Sequence, residues 1–245
     1  MPKQNNTIVS LVPSITETLY SLGLDDEVVG ITKFCVHPLH WFQQKIKVGG
    51  TKNIHLEKIK SLQPTLIIAN KEENVKEQVE LLAKNYNVLL TDVNNYTEAL
   101  QMIQDLGEVL QKQTASALLV QSIIEHFSVT KTSKPKTAAY IIWKNPWMTV
   151  GGDTFINDMM QKAGFYNVFE NEKRYPQVSI EQIKNKNPDY LLLSSEPFPF
   201  QQKHADELRA LMPHIKILLV DGEMFSWYGS RMIKASEYFN GLINW

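Results

Sequence analysis

The chain states one pattern twice. Leu56-Glu57-Lys58-Ile59-Lys60, then Pro64 and the apolar run Leu66-Ile67-Ile68, returns as Ile180-Glu181-Gln182-Ile183-Lys184, Pro188 and Leu191-Leu192-Leu193. Glu57 and Glu181, Ile59 and Ile183, Lys60 and Lys184, and Pro64 and Pro188 all share one offset of 124 positions. A constant offset across a short helix, a proline break and a buried strand predicts two similar lobes with a connecting segment between them. Two lobes imply a cleft. At 245 residues, 43% of them hydrophobic, the chain can bury a substantial core as one large domain or two small ones.

Around the repeat the text alternates strand and helix. Thr7 to Val12 is a β-branched run, and Ser14 with Glu17 three residues later forms a capping-box pattern that predicts a helix carrying Ile15, Leu19 and Leu22 to a stop at Gly23. Strands are expected at Val28–Ile31, Leu66–Ala69 and Val88–Leu90, and helices at Leu56–Leu62 and Asn74–Tyr86. The second half repeats the plan. Strands are expected at Ala138–Trp143, Tyr190–Leu193 and Ile217–Val220, and helices at Ile180–Lys186, at His204–Leu211 and from a cap at Asp153 or Thr154 through Lys162. This alternation predicts an α/β fold with central parallel sheets.

The middle of the chain reads differently. From Thr97 to Phe127 there is no proline and only Gly107, while Leu100, Ile103, Leu106, Leu110, Leu118, Ile123 and Ile124 recur at mostly helical spacings. One helix of that length would run about 45 Å. Two shorter helices meeting near Gln113-Thr114 are the alternative, because Gly107 and Thr114 are weak helix formers. The resulting domain reading is an N-terminal lobe 1–96, a bridging helix 97–127 and a C-terminal lobe 128–245, with a Ser/Thr/Lys/Pro-rich loop from Ser128 to Lys136.

Charge and composition exclude several partners. A formal charge of −1 gives no electrostatic reason to expect nucleic acid, and no apolar run approaches the ~20 residues that span a bilayer, so no membrane insertion is expected. The polar start Met1-Pro2-Lys3-Gln4-Asn5-Asn6 shows no signal-peptide pattern, which leaves a cytoplasmic protein or one whose export signal lies outside this chain. Cys35 is the only cysteine, so no intrachain disulfide forms, and its expected role is that of a small buried hydrophobe.

Ser10-Leu11-Val12-Pro13-Ser14-Ile15-Thr16-Glu17, Val29-Gly30-Ile31-Thr32, Val48-Gly49-Gly50 and Pro64-Thr65-Leu66 in the first half make the chain specific enough to compare with a family. So do Gly151-Gly152-Asp153-Thr154-Phe155, Tyr175-Pro176-Gln177-Val178-Ser179 and Pro188-Asp189 in the second. Together they resemble the class III, helical-backbone substrate-binding proteins of ABC importers for vitamin B12 and ferric siderophores. The resemblance covers nearly the whole chain. It implies two α/β lobes bridged by a single long helix, with a ligand cleft between them and delivery of a corrinoid or other metal chelate to a membrane permease. It also implies an extracytoplasmic location, periplasmic or membrane-anchored, and a monomer. A cytoplasmic corrinoid- or haem-handling protein and a ferric siderophore binder are the alternatives.

Site residues follow from that resemblance. Phe34 and Tyr175 match positions where the B12-binding member uses aromatic rings, and Trp143, Trp147 or Met148 lie in the corresponding stretch of the next loop. Elsewhere the pattern departs: Thr51 and Asn70 stand where tryptophans are placed, and Glu223 and Trp227 where an Asp and an Arg are placed. Flat aromatic walls suit a corrin or chelate face, because rings give large contact area with few torsions to immobilise. Glu57 and Glu181 fall on the pair of lobe-surface carboxylates that meet arginines of the permease. A carboxylate at a helix start also favours the positive end of the helix dipole, which accounts for each acid without a partner.

Other chemistries find little support. His37, His40 and His55 do not form a spacing that converges three or four ligands, so no metal site and no resident cofactor are expected. Arg231 is expected to pair with a ligand's anionic edge or, preferentially, with an acid of its own lobe. Asp153-Thr154, Glu196 and Glu223 could supply acid and base groups, but no nucleophile-elbow, phosphate-loop or zinc-protease pattern accompanies them, and no enzyme is expected.

Overall fold

The computed structural model describes residues 6–128 and 135–242. The polar start read from Met1 to Asn5, and all but the ends of the Ser128–Lys136 loop, lie outside the described residues. Contacts divide the chain into two compact units, the first comprising 1–93, 100–121 and 228–231 and the second 94–99, 122–227 and 232–245.

The first unit is built on β1 (Ile8–Ser10), α1 (Pro13–Ser21), β2 (Val28–Ile31), α2 (Leu39–Gln44), β3 (Ile46–Lys47), α3 (Leu56–Ser61), β4 (Leu66–Asn70), α4 (Lys76–Ala83) and β5 (Val88–Thr91). Its five strands are all parallel, in the order β3-β2-β1-β4-β5. Val9 and Leu11 from β1 and its exit join Ile67 and Ala69 of β4 in one core face, sealed by Ile59 of α3 and by Val79 and Leu82 of α4. Alternate residues Ile8, Ser10 and Ile68 are buried as well, as strands covered on both faces require.

Next come α5 (Tyr96–Val109) and α6 (Gln113–Ser128), then β6 (Lys136–Trp143), β7 (Met148–Thr149), α7 (Phe155–Lys162), β8 (Phe165–Asn167), α8 (Ile180–Lys186), β9 (Tyr190–Ser194), α9 (Gln202–Leu211), β10 (Lys216–Val220), α10 (Gly222–Ser226) and α11 (Arg231–Leu242). In the second unit β6, β9 and β10 pair in parallel, while β6 gives its other edge to β8 along Lys136–Ala138 and to antiparallel β7 at Ile141 and Trp143. Ala139, Ile141, Leu191 and Leu193 form its core face with Ile183 of α8 and Ala205 and Leu208 of α9.

The repeat survives as structure. α3 and α8 begin at 56 and 180, and β4 and β9 span 66–70 and 190–194, so the offset of 124 holds at every one of these boundaries. It extends to a reciprocal clamp at the strand starts. In the first unit the Thr7 and Thr65 backbone N–H groups donate to each other's hydroxyl at 3.0 and 3.1 Å. In the second the Thr137 N–H donates to the Asp189 carboxylate and the Asp189 N–H to the Thr137 hydroxyl, both at 2.9 Å.

Two local expectations change. The single helix expected over 97–127 is interrupted between Val109 and Gln113, where Gln111 takes a left-handed φ of 56° and the Lys112 N–H closes on the Gly107 carbonyl at 2.7 Å. Gly107 lets the start of α6 come close: a Cβ there would stand 1.9 Å from Ser116 Oγ. The capping box expected from Ser14 and Glu17 is also absent, because α1 opens two residues earlier, at Pro13 after Val12, and has no side-chain cap. The Glu17 carboxylate instead accepts from Arg231 Nε at 2.8 Å.

Candidate functional site

In parallel sheets the loops leaving the carboxyl ends of the strands carry ligands, and a helix feeding a strand runs against it, so its first turn lies at that same end. Phe34, Trp143 and Glu223 follow or end such strands, and Glu57 and Glu181 occupy the first turns of α3 and α8.

In the first unit Cys35 anchors the loop after β2. Its buried sulfur lies 3.1 Å from both the Thr16 and the Thr32 hydroxyls, and burial pushes its thiol pKa up. Held this way, the loop presents Phe34 outward at 50% exposure, with Lys33 Nζ 5.0 Å from the ring centroid and the ring against the backbone of Gly50. Thr51 and Asn70, the two departures from the family's tryptophans, are buried braces. The Asn70 carboxamide accepts from Glu72 N at 2.8 Å and donates to Thr91 Oγ1 at 3.1 Å, while Asn74 donates to the Thr51 carbonyl at 3.0 Å. Glu73, in the same loop, has its carboxyl pKa raised by burial, an effect that Lys52 opposes.

The second unit separates the aromatic candidates. Trp143, the last residue of β6, is 39% exposed and meets Phe198 at 5.8 Å between centroids. Trp147 is half-buried, stacked on Phe200 at 8° between planes and packed on the core, with Lys144 Nζ 5.5 Å from its ring. Met148 pairs with Trp143 across β6 and β7, and Tyr175 lies under the Arg174 guanidinium at 5.7 Å. Trp227 is only 8% exposed, and its indole N–H donates to Glu196 Oε1 at 3.0 Å, the same oxygen that accepts from the Ser226 hydroxyl at 2.6 Å. Glu223 sits in the first turn of α10, its backbone N–H donating to the capping Asp221 at 3.1 Å.

Glu196, which the sequence offers only as an acid or base group, and Phe198, which it does not single out as a ligand contact, brace two of these candidates. The visible signal was the aromatic, proline-rich text after β9. Arg231 makes the structural pairing: its partner Glu17 lies in the same compact unit, which takes in residues 228–231, although the lobe boundaries read from sequence would part the two.

A polar hollow of about 470 Å³, lined by Asn94, Asn95, Asp153, Asp158, Gln161 and Arg174, adjoins the start of α7. Another, of about 480 Å³, includes Tyr190 and Lys216 at the amino ends of β9 and β10, opposite the loops described above. Among the described residues no three His, Cys, Asp or Glu side chains gather to hold a metal ion. Glu57 and Glu181 are both exposed, and no hydrogen bond or ion pair among the described residues engages either carboxylate.

Residues 8–211 match the model of the periplasmic binding protein family. The chain belongs to that family. This periplasmic binding protein is 27% identical to the uncharacterized ABC transporter substrate-binding lipoprotein YvrC of Bacillus subtilis, over 96% of this chain and 79% of that one. It is 29% identical to the vitamin B12-binding protein of Vibrio parahaemolyticus, over 76% of this chain and 70% of the relative. The apo periplasmic haem-binding protein RhuT of Roseiflexus sp. RS-1 shares the fold, with a TM-score of 0.83 at 19% identity over 96% of this chain and 97% of that one. Among the described residues no helix is long and apolar enough to cross a membrane.

Proposed function

We propose that this binding protein is the substrate-binding component of an ABC importer, that it captures a corrinoid or related metal chelate, and that it delivers it to a membrane permease. The observation that carries the reading is the pairing of an aromatic strand-end surface with one exposed, unengaged carboxylate at the matching position of each lobe, Glu57 and Glu181. The helix dipole accounts for an acid at each helix start but not for its recurrence at the same site of both lobes. The relatives named for vitamin B12 and for ABC transport support the same reading.

On this reading the protein works outside the cytoplasm as a monomer and catalyses nothing. The metal arrives inside its chelate as cargo, so no resident cofactor is needed. Phe34 in the first unit and Trp143 in the second are the most exposed of the candidate rings, Met148, Tyr175 and Glu223 are the further cargo contacts, and Trp147 and Trp227 are packed within the second unit. Calorimetry with cobalamin and cobinamide tests it: saturation at one site is expected. Absence of heat and of any visible-band change with corrinoids, alongside clear binding of a ferric siderophore, would transfer the function to the siderophore alternative.

A further inference from the structure

Two tryptophans leave β6 close together, and the second unit treats them differently. Trp147 lies nearly parallel to Phe200 against the core, whereas Trp143 keeps a large open surface and meets Phe198 in a T-shaped contact, with 72° between the ring planes. Phe198 is itself wedged. Phe200 lies 4.7 Å and His204 5.3 Å from its centroid, its backbone N–H donates to the Ile142 carbonyl at 3.3 Å, and its ring packs on the core. Because β6 and β9 are parallel neighbours, the residues that leave them stand at one end of the sheet. An exposed indole loses rotamer freedom when a cargo immobilises it; one already held by a fixed ring loses less.

We propose that Phe198 is a positioning residue that holds the Trp143 indole as a preformed flat shelf for a planar macrocycle, a corrin or porphyrin ring. The inference rests on the reading of this chain as a chelate-binding protein and narrows its cargo. A macrocycle offers a broad face that a fixed aromatic plane matches, while a ferric hydroxamate encloses its metal in a compact shell with no such face. Phe198 does not touch the cargo; it acts through Trp143.

The test titrates the full chain with dicyanocobinamide, hemin and ferrioxamine B, reading the ligands' visible bands and tryptophan quenching. Phe198→Leu keeps an apolar side chain on the core and removes the ring, and it should weaken macrocycle binding roughly two- to tenfold. Phe198→Tyr should restore the affinity. In a Trp143→Ala background Phe198→Leu should cost nothing more, because the indole it positions is gone. Near-ultraviolet circular dichroism of the cargo-free protein reads the positioning directly, and Phe198→Leu and Trp143→Ala should lose the same indole band. Equal affinities for wild type and Phe198→Leu, or the same loss in both backgrounds, overturn the role of Phe198. Binding of ferrioxamine B alone overturns the macrocycle assignment, and binding of none of the three probes overturns the underlying reading.

Discussion

The Glu17–Arg231 pair decides whether Arg231 serves the fold or the cargo. Its two side chains are nearly buried, Arg231 at 4% and Glu17 at 8% residue exposure, and they meet at 2.8 Å. The approach is set on both sides: the Ser230 N–H donates to Thr18 Oγ1 at 3.1 Å, and Gly229, at a φ of 89°, lies so close that a Cβ would stand 2.0 Å from that hydroxyl. Replacing Glu17 with Leu removes the carboxylate from a buried guanidinium, a change that costs about 3–5 kcal/mol when one partner of a buried pair is lost. For a chain of this size that corresponds to a melting point lower by about 6–20 °C. Pairing Glu17→Leu with Arg231→Met removes both charges at similar volume and should recover most of the loss, since an apolar replacement of the whole pair is often neutral. Urea unfolding of the four proteins closes the cycle. Single variants that each cost under about 1 kcal/mol, or a double variant no better than the sum of the two, would refute the buried-pair argument. An Arg231→Met protein of undiminished stability that no longer binds cargo would return the arginine to the ligand.

Gly107→Ala gains about 1 kcal/mol of helix propensity but forces a methyl into Ser116, an overpacking of about 1–3 kcal/mol, so a net loss is expected in thermal unfolding and Ser116→Gly should relieve it. The Thr137 backbone N–H, and then its hydroxyl, hold the Asp189 carboxyl below the usual carboxylate range. That contribution is therefore full above the unfolded Asp value of about 3.9 and disappears as pH falls through the lower folded one. Asp189→Thr, which copies the first unit's Thr65, should keep the clamp and flatten the acid limb of the stability curve; an unchanged limb would exclude this carboxylate as its source. Glu57→Lys with Glu181→Lys should abolish stimulation of the permease's ATPase while leaving cargo affinity within about twofold, because exposed rim charges govern encounter and orientation. Undiminished stimulation would leave the two acids as helix-start charges only.

The sequence by itself determined the elements whose cause is local. Helix, proline break and apolar run recur at 56–70 and 180–194 because propensity, chain-breaking and side-chain periodicity act within a few residues, and the offset carries through to the strand boundaries. Thr154 caps α7 as its place before the helix implies, accepting from the Asn157 N–H at 3.2 Å. The Ser179-x-x-Gln182 box at α8 is an equally local signal, and it forms. Tertiary structure decided what depends on a distant partner. Ser14 and Glu17 spell a capping box, yet the carboxylate lies with a guanidinium more than two hundred residues away, since a nearly buried cation needs its counter-charge and the helix opens instead on Pro13, which has no N–H to cap. The run from 97 to 127 has helical spacing throughout, and it breaks because Gln111 turns left-handed and Gly107 admits Ser116, a close approach that no periodicity records. Trp143 and Trp147 are alike in sequence, and only their packing, on Phe198 for one and on Phe200 for the other, leaves the first open and the second supporting the core. Local pattern sets which elements form; which side chains remain available for a ligand is set by the residues that long-range packing brings against them.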